Sequence, residues 1–173
     1  MIKIKKFKKG FTLLEILIYI SVLAIVFVAV SSFLTWSTKL SAKATAIREA
    51  TDNTRRAMEI MTYEIRGAKS VYTPTASPSQ MSLVTVRYLP AGEISTFIDF
   101  YLCGTAICLK KESQDPVAIT SDSVEVDNLV FTQISTTTPS IQIQLSVGYK
   151  TSSAKLEYQA SVDATSTASL RNY

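Results

Sequence analysis

Lys8-Lys9-Gly10-Phe11-Thr12-Leu13-Leu14-Glu15 lies near the start of this 173-residue chain, and the 23 residues that follow it, Ile16 to Thr38, carry no formal charge. A helix needs roughly 20 apolar residues to cross a bilayer, so the run is long enough. Glu15 is the anomaly at its border. An acid at the centre of a membrane helix costs roughly 2.5–3.5 kcal/mol, and by default it implies a partner. A basic start followed by an apolar run also fits a cleaved secretory signal, or an uncleaved signal anchor. Against the secretory signal, the run exceeds the usual apolar region, begins beside an acid, and is followed by no clear Ala-x-Ala site.

These residues resemble the type IV pilin and type II secretion pseudopilin superfamily. Its processing motif is a short basic leader, a glycine, an aromatic residue or Met, then Thr-Leu-hydrophobic-Glu and an apolar helix. Gly10, Phe11, Thr12, Leu13, Leu14 and Glu15 match each element, and the resemblance extends to about residue 36. It implies cleavage between Gly10 and Phe11 by a membrane-embedded prepilin peptidase, then N-methylation of Phe11. Glycine gives such an enzyme an unhindered backbone. It also implies that Glu15 pairs with the Phe11 amino group of a neighbouring subunit. In an apolar bundle the two charges relieve each other's desolvation, and losing one strands the other. The partners implied are the peptidase, other pilin or pseudopilin subunits, an assembly platform with its ATPase, and inner-membrane lipid.

The net charge of +4 is set by the leader, because Lys3, Lys5, Lys6, Lys8 and Lys9 account for five of the 18 basic residues. Without them 13 basic residues face 14 acidic ones, so the basic balance is weak evidence for nucleic-acid binding. The same lysines keep the N-terminus inside and place the rest of the chain outside the cytoplasm. There is no histidine, which removes the commonest general base and metal ligand. Cys103 and Cys108 are the only cysteines. Their spacing is not that of a zinc knuckle, and in an oxidising space they could close a disulfide across a short hairpin. The alternative is two reduced residues, one of them buried in a strand.

No Gly or Pro interrupts Phe11 to Arg66, and Gly67 is placed as a helix C′ residue. One helix is therefore expected, about 80 Å long at 1.5 Å per residue. Its second half carries a stripe at Leu40, Ala44, Ile47, Thr51, Thr54, Met58, Met61 and Ile65, suited to docking on a sheet. Pro74 and Pro78 mark a loop. Strands are expected at Met81–Tyr88, Ile94–Cys103, Ile107–Lys111 and Val124–Ile134, the last being one strand or two around Asp127-Asn128. A hairpin is expected from the alternation of Ile141, Ile143, Leu145, Val147 and Tyr149, then Leu156, Tyr158, Ala160 and Val162, with a turn at 151–153. The Ser/Thr/Ala-rich tail from Ala164 is expected to be loosely held, with Leu170 and Tyr173 able to tuck against the sheet.

A long helix followed by consecutive antiparallel strands reads as α+β. It matches the pilin-like architecture of a long N-terminal helix, membrane-spanning in its first half, packed on an antiparallel sheeted head. The division expected is a leader at 1–10, a transmembrane or filament-core helix at 11–38, an amphipathic half at 39–69, a β-rich head at 70–163 and a tail at 164–173. The head resembles J-type minor pseudopilins and related minor pilins through Arg55-Arg56-Ala57-Met58-Glu59 and Glu64-Ile65-Arg66. The lack of proline in the membrane half points away from a major pilin.

No catalytic constellation stands out. Without histidine there is no Ser-His-Asp or Cys-His pair, and the five glycines are isolated rather than set in a phosphate loop. Asp122, Glu125 and Asp127 could offer oxygens to calcium, but their spacing is not an EF-hand loop and a solvated turn accounts for them. Lys43, Arg48, Arg55, Arg56, Arg66 and Lys69 could meet DNA phosphates, yet acids interleave with them. The reading is therefore a structural minor pilin or pseudopilin rather than an enzyme, with no cofactor and no metal. The alternatives are a filament-tip adhesin or DNA-binding minor pilin, and an uncleaved signal-anchored extracytoplasmic domain.

Overall fold

The structure is a computed structural model, and it describes residues 12–72, 78–89, 91–135, 139–151 and 158–171. Helix α1 spans Leu13–Gly67 and, among the described residues, is followed by eight strands. These are β1 (Ser70–Tyr72), β2 (Met81–Thr85), β3 (Thr96–Cys103), β4 (Ala106–Lys111), β5 (Val117–Ala118), β6 (Val124–Ser135), β7 (Ser140–Tyr149) and β8 (Ser161–Ser169). The chain divides into two compact units, Met1–Ser41 and Ala42–Tyr173. The arrangement is α+β and pilin-like: one long N-terminal helix, apolar in its first half, with antiparallel sheets.

Among the described residues, the first unit is helical from Leu13 onward. From Leu13 to Leu40 its large apolar side chains are exposed, Phe27 and Ile25 among them. Three hydroxyls in the run are returned to the helix backbone: Ser21 donates to the Leu17 carbonyl, Thr35 to Ser31 and Thr38 to Thr35. That satisfies polar groups which lipid cannot.

In the second unit the buried face of α1 is Ala46, Ala50, Asn53, Thr54, Ala57, Met61, Glu64 and Ile65. The expected stripe agrees at Thr54, Met61 and Ile65, with Met58 half-buried, but not at Leu40, Ala44, Ile47 and Thr51, which are exposed. The seam is rotated toward alanines because a row of small side chains lets the helix backbone approach the sheets closely. Asn53 fastens it, its Oδ1 accepting from the Ser121 N–H at 2.8 Å. Met61 and Ile65 are fully buried, and each side chain contributes about 1.5–3 kcal/mol of hydrophobic burial.

The strands form a five-stranded sheet in the order β1-β2-β3-β4-β5 and a three-stranded sheet, β6-β7-β8, with every pairing antiparallel. Their inner faces supply one core around Phe100, Leu83, Ile98, Ile107, Leu129, Ile143 and Leu145. The Val126 N–H donates to the Thr105 carbonyl at 2.8 Å, tying the sheets together.

Three sequence expectations are revised, for the first strand, the β7 hairpin partner and the tail, and the open choice of one strand or two at β6 is resolved. The first strand stops at Thr85 rather than Tyr88, because Tyr88 has φ 61° and turns the chain. β6 is one strand with a bulge between Val126 and Asn128. The extra residue, Asp127, changes the parity, so Val124 and Val126 before it and Leu129 after it are all buried. The hairpin partner of β7 runs from Ser161, with Val147 opposite Val162 and Ile141 opposite Ala168; Tyr158 and Ala160 precede the strand, and Leu156 lies outside the described residues. The expected turn at 151–153 falls largely on residues outside those described. The tail from Ala164 is not loose: it is the body of β8, Ala168 is buried and Leu170 tucks in. Ser and Thr make it look like linker, but threonine suits a strand, and β7 supplies the hydrogen bonds. Tyr173 lies outside the described residues.

Candidate assembly and processing site

The expected cleavage and methylation positions, Gly10 and Phe11, lie outside the described residues. The site becomes visible at Thr12. The Glu15 N–H donates to Thr12 Oγ1 at 3.3 Å, and the Ile16 N–H donates to the Thr12 carbonyl at 3.3 Å. Thr12 is thus the N-cap of α1, with Glu15 at the third helical position, the arrangement of a capping box. Thr-x-x-Glu ahead of an apolar run is a helix-start signal readable in the sequence, and the reading from the residues passed over it. A carboxylate in the first turn also meets the positive end of the helix dipole.

Glu15 has a second contact. Tyr19, one turn later, donates its phenol to Glu15 Oε1 at 3.1 Å. The hydroxyl holds the carboxylate on one side of the helix start. Sequence reasoning did not connect these two residues, although their spacing of four places them on one face.

Cys103 and Cys108 are joined by a disulfide with Cα atoms 5.8 Å apart. It crosses the β3–β4 hairpin, whose two-residue loop is Gly104-Thr105. Gly104 has φ +70°, a conformation that side-chain-bearing residues rarely adopt.

The acidic trio does not converge. Glu125 and Asp127 line a groove of about 730 Å³ with Lys43, Gly148, Tyr149 and Gln159, and Asp122 is not part of it. Lys43 Nζ donates to the Gln159 carbonyl. The row of basic residues along α1 is also divided. Arg48 pairs with Asp52 at 3.7 Å, and Arg66 stands with Arg87 and Arg171 instead.

Among the described residues, α1 is the one helix long and apolar enough to cross a membrane. Residues 5–31 match the family described as the prokaryotic N-terminal methylation motif. Searches of curated proteins and of solved structures found no match to the chain. The motif implies processing by a prepilin peptidase and assembly with other pilins, and with the long apolar helix it indicates a membrane-anchored protein. A basic leader ending in this motif, a capped helix bearing Glu15 and an antiparallel sheeted head make the chain similar to proteins of the type IV pilin and pseudopilin type, and the match over residues 5–31 supports that type.

Proposed function

We propose that this protein is a structural minor subunit of a type IV pilus or type II secretion pseudopilus, and that it acts by assembly rather than catalysis. The leader lysines hold the N-terminus in the cytoplasm while the head stands outside. Cleavage after Gly10 frees the Phe11 amino group, which is then methylated. The apolar helix stores the subunit in the membrane until the assembly platform and ATPase extract it. In the filament, Glu15 pairs with the Phe11 amino group of a neighbour, and Tyr19 presents the carboxylate for that pairing.

The observation that carries this reading is the exposed apolar helix from Leu13 to Leu40, with its one carboxylate at the capped end. Such a surface needs lipid before assembly and other helices after it. Replacing Glu15 with Ala is the test. Membrane insertion should persist, since the apolar run is intact, while recovery in sheared filaments should fall. Undiminished recovery would remove the pairing from the account.

A further inference from the structure

Three arginines from distant parts of the sequence meet at one small pocket. Arg66 comes from the last turn of α1, Arg87 from the turn after β2 and Arg171 from the end of β8. With Tyr63 they line a pocket of about 170 Å³, several times the roughly 30 Å³ that one water takes up. The Arg171 N–H donates to the Arg66 carbonyl at 3.3 Å, which joins the two ends of the head at this point.

Arg87 is the inner member. Its guanidinium lies 4.7 Å from the Tyr63 ring centroid. Gly67 backs it: a Cβ built there would stand 2.2 Å from Arg87 Cζ. Arg87 Nη1 is buried and has no acceptor. Glu64 does not supply one, since its Oε1 accepts from Tyr88 and its Oε2 is itself without a partner. Among the described residues, no ion pair joins a carboxylate to any of the three arginines.

A buried donor without an acceptor is costly, and three guanidinium groups around one cavity repel one another. An oxyanion among them relieves that repulsion, because its oxygens match the guanidinium fork. We propose that Arg66, Arg87 and Arg171 form a receptor for one oxyanion of the carboxylate or phosphate class, with Arg87 as the buried donor and Tyr63 as the plane that orients it. The anion can arrive free or as a side-chain carboxylate of another subunit. The inference stands on the head alone and does not depend on the filament reading.

The test is calorimetric titration of the full chain in detergent micelles at low ionic strength. Inorganic phosphate is one probe and N-acetylglutamate the other. Saturable one-to-one binding of at least one probe is expected. Arg87→Gln should weaken it about tenfold or more, the loss of one charge-assisted hydrogen bond. Arg171→Gln lies past the last strand, leaves the core untouched and should weaken it similarly. Arg55→Gln, on the exposed face of α1, should not change it. Tighter phosphate binding assigns the site to a free ion, and tighter N-acetylglutamate binding assigns it to a subunit's carboxylate. Absence of saturable binding, or binding undiminished from the parent in the Arg87 and Arg171 variants, would overturn the proposal, as would equal weakening by Arg55→Gln.

Discussion

Arg87 occupies the space that a side chain on Gly67 would take, its Cζ 2.2 Å from where a Cβ would stand. Gly67 was expected as the C′ residue just past the helix. It is instead the last residue of α1, and it is not among the residues with positive φ. Its smallness makes room for a neighbour rather than permitting an unusual backbone.

Gly67→Ala should therefore displace Arg87 at little cost in stability. Alanine gains up to about 1 kcal/mol of helix propensity, and the lost Arg87–Tyr63 stacking returns about 0.5–1 kcal/mol. Chemical denaturation should give a stability within about 1 kcal/mol of the parent. A loss of several kcal/mol would mean that the guanidinium is locked in place.

Tyr88 gives a pH prediction. Its phenol is raised above the ordinary value of 10, first by desolvation and then by the charge of Glu64, whose Oε1 accepts its proton at 3.2 Å. A raised value in the folded state means that folding favours the protonated phenol. That stabilisation is complete below pH 10 and is lost as pH rises through the folded value. The melting temperature should fall above pH 10, and Tyr88→Phe should flatten the fall. Parallel curves for the two proteins would contradict the assignment.

Ile65 anchors α1 in the core with no exposed surface. Ile65→Ala should cost about 2–5 kcal/mol, read as a shift in urea midpoint. Ile47→Ala, on the exposed face of the same helix, should cost under about 1 kcal/mol in the isolated subunit.

The disulfide closes a hairpin already closed by its own turn. Its removal by Cys103→Ser with Cys108→Ser should cost at most about 2 kcal/mol, since short loops have little entropy to lose. Mass spectrometry with and without reductant should show a two-hydrogen difference for the parent. No difference would mean reduced thiols in the native compartment.

What was legible in the sequence follows from physical contrast. The helix was readable from an unbroken run without Gly or Pro, and β7 from the strict alternation of Ile141, Ile143, Leu145 and Val147. The inward face of β8 kept the expected parity, yet its extent did not show, because Ala164, Ser166 and Ala168 carry too little apolar signal. The short strands β1 and β5 hold three and two residues, too few for an alternation to be read. The helix stripe was misplaced because volume drew attention to Ile47, while packing selected Ala46, Ala50 and Ala57. The motif around Glu15 was plain, but the Tyr19 contact and the arginine pocket were not. The arginines come from residues 66, 87 and 171, and only the fold brings them together.

The most direct test of the central claim is the mass of the N-terminal peptide from protein purified out of its native membranes. The account predicts a mature chain that begins at N-methyl-Phe11. A chain that still begins at Met1 would contradict processing and leave a signal-anchored domain, and a start beyond Ser31 would mean an ordinary secretory signal with no assembly role for Glu15.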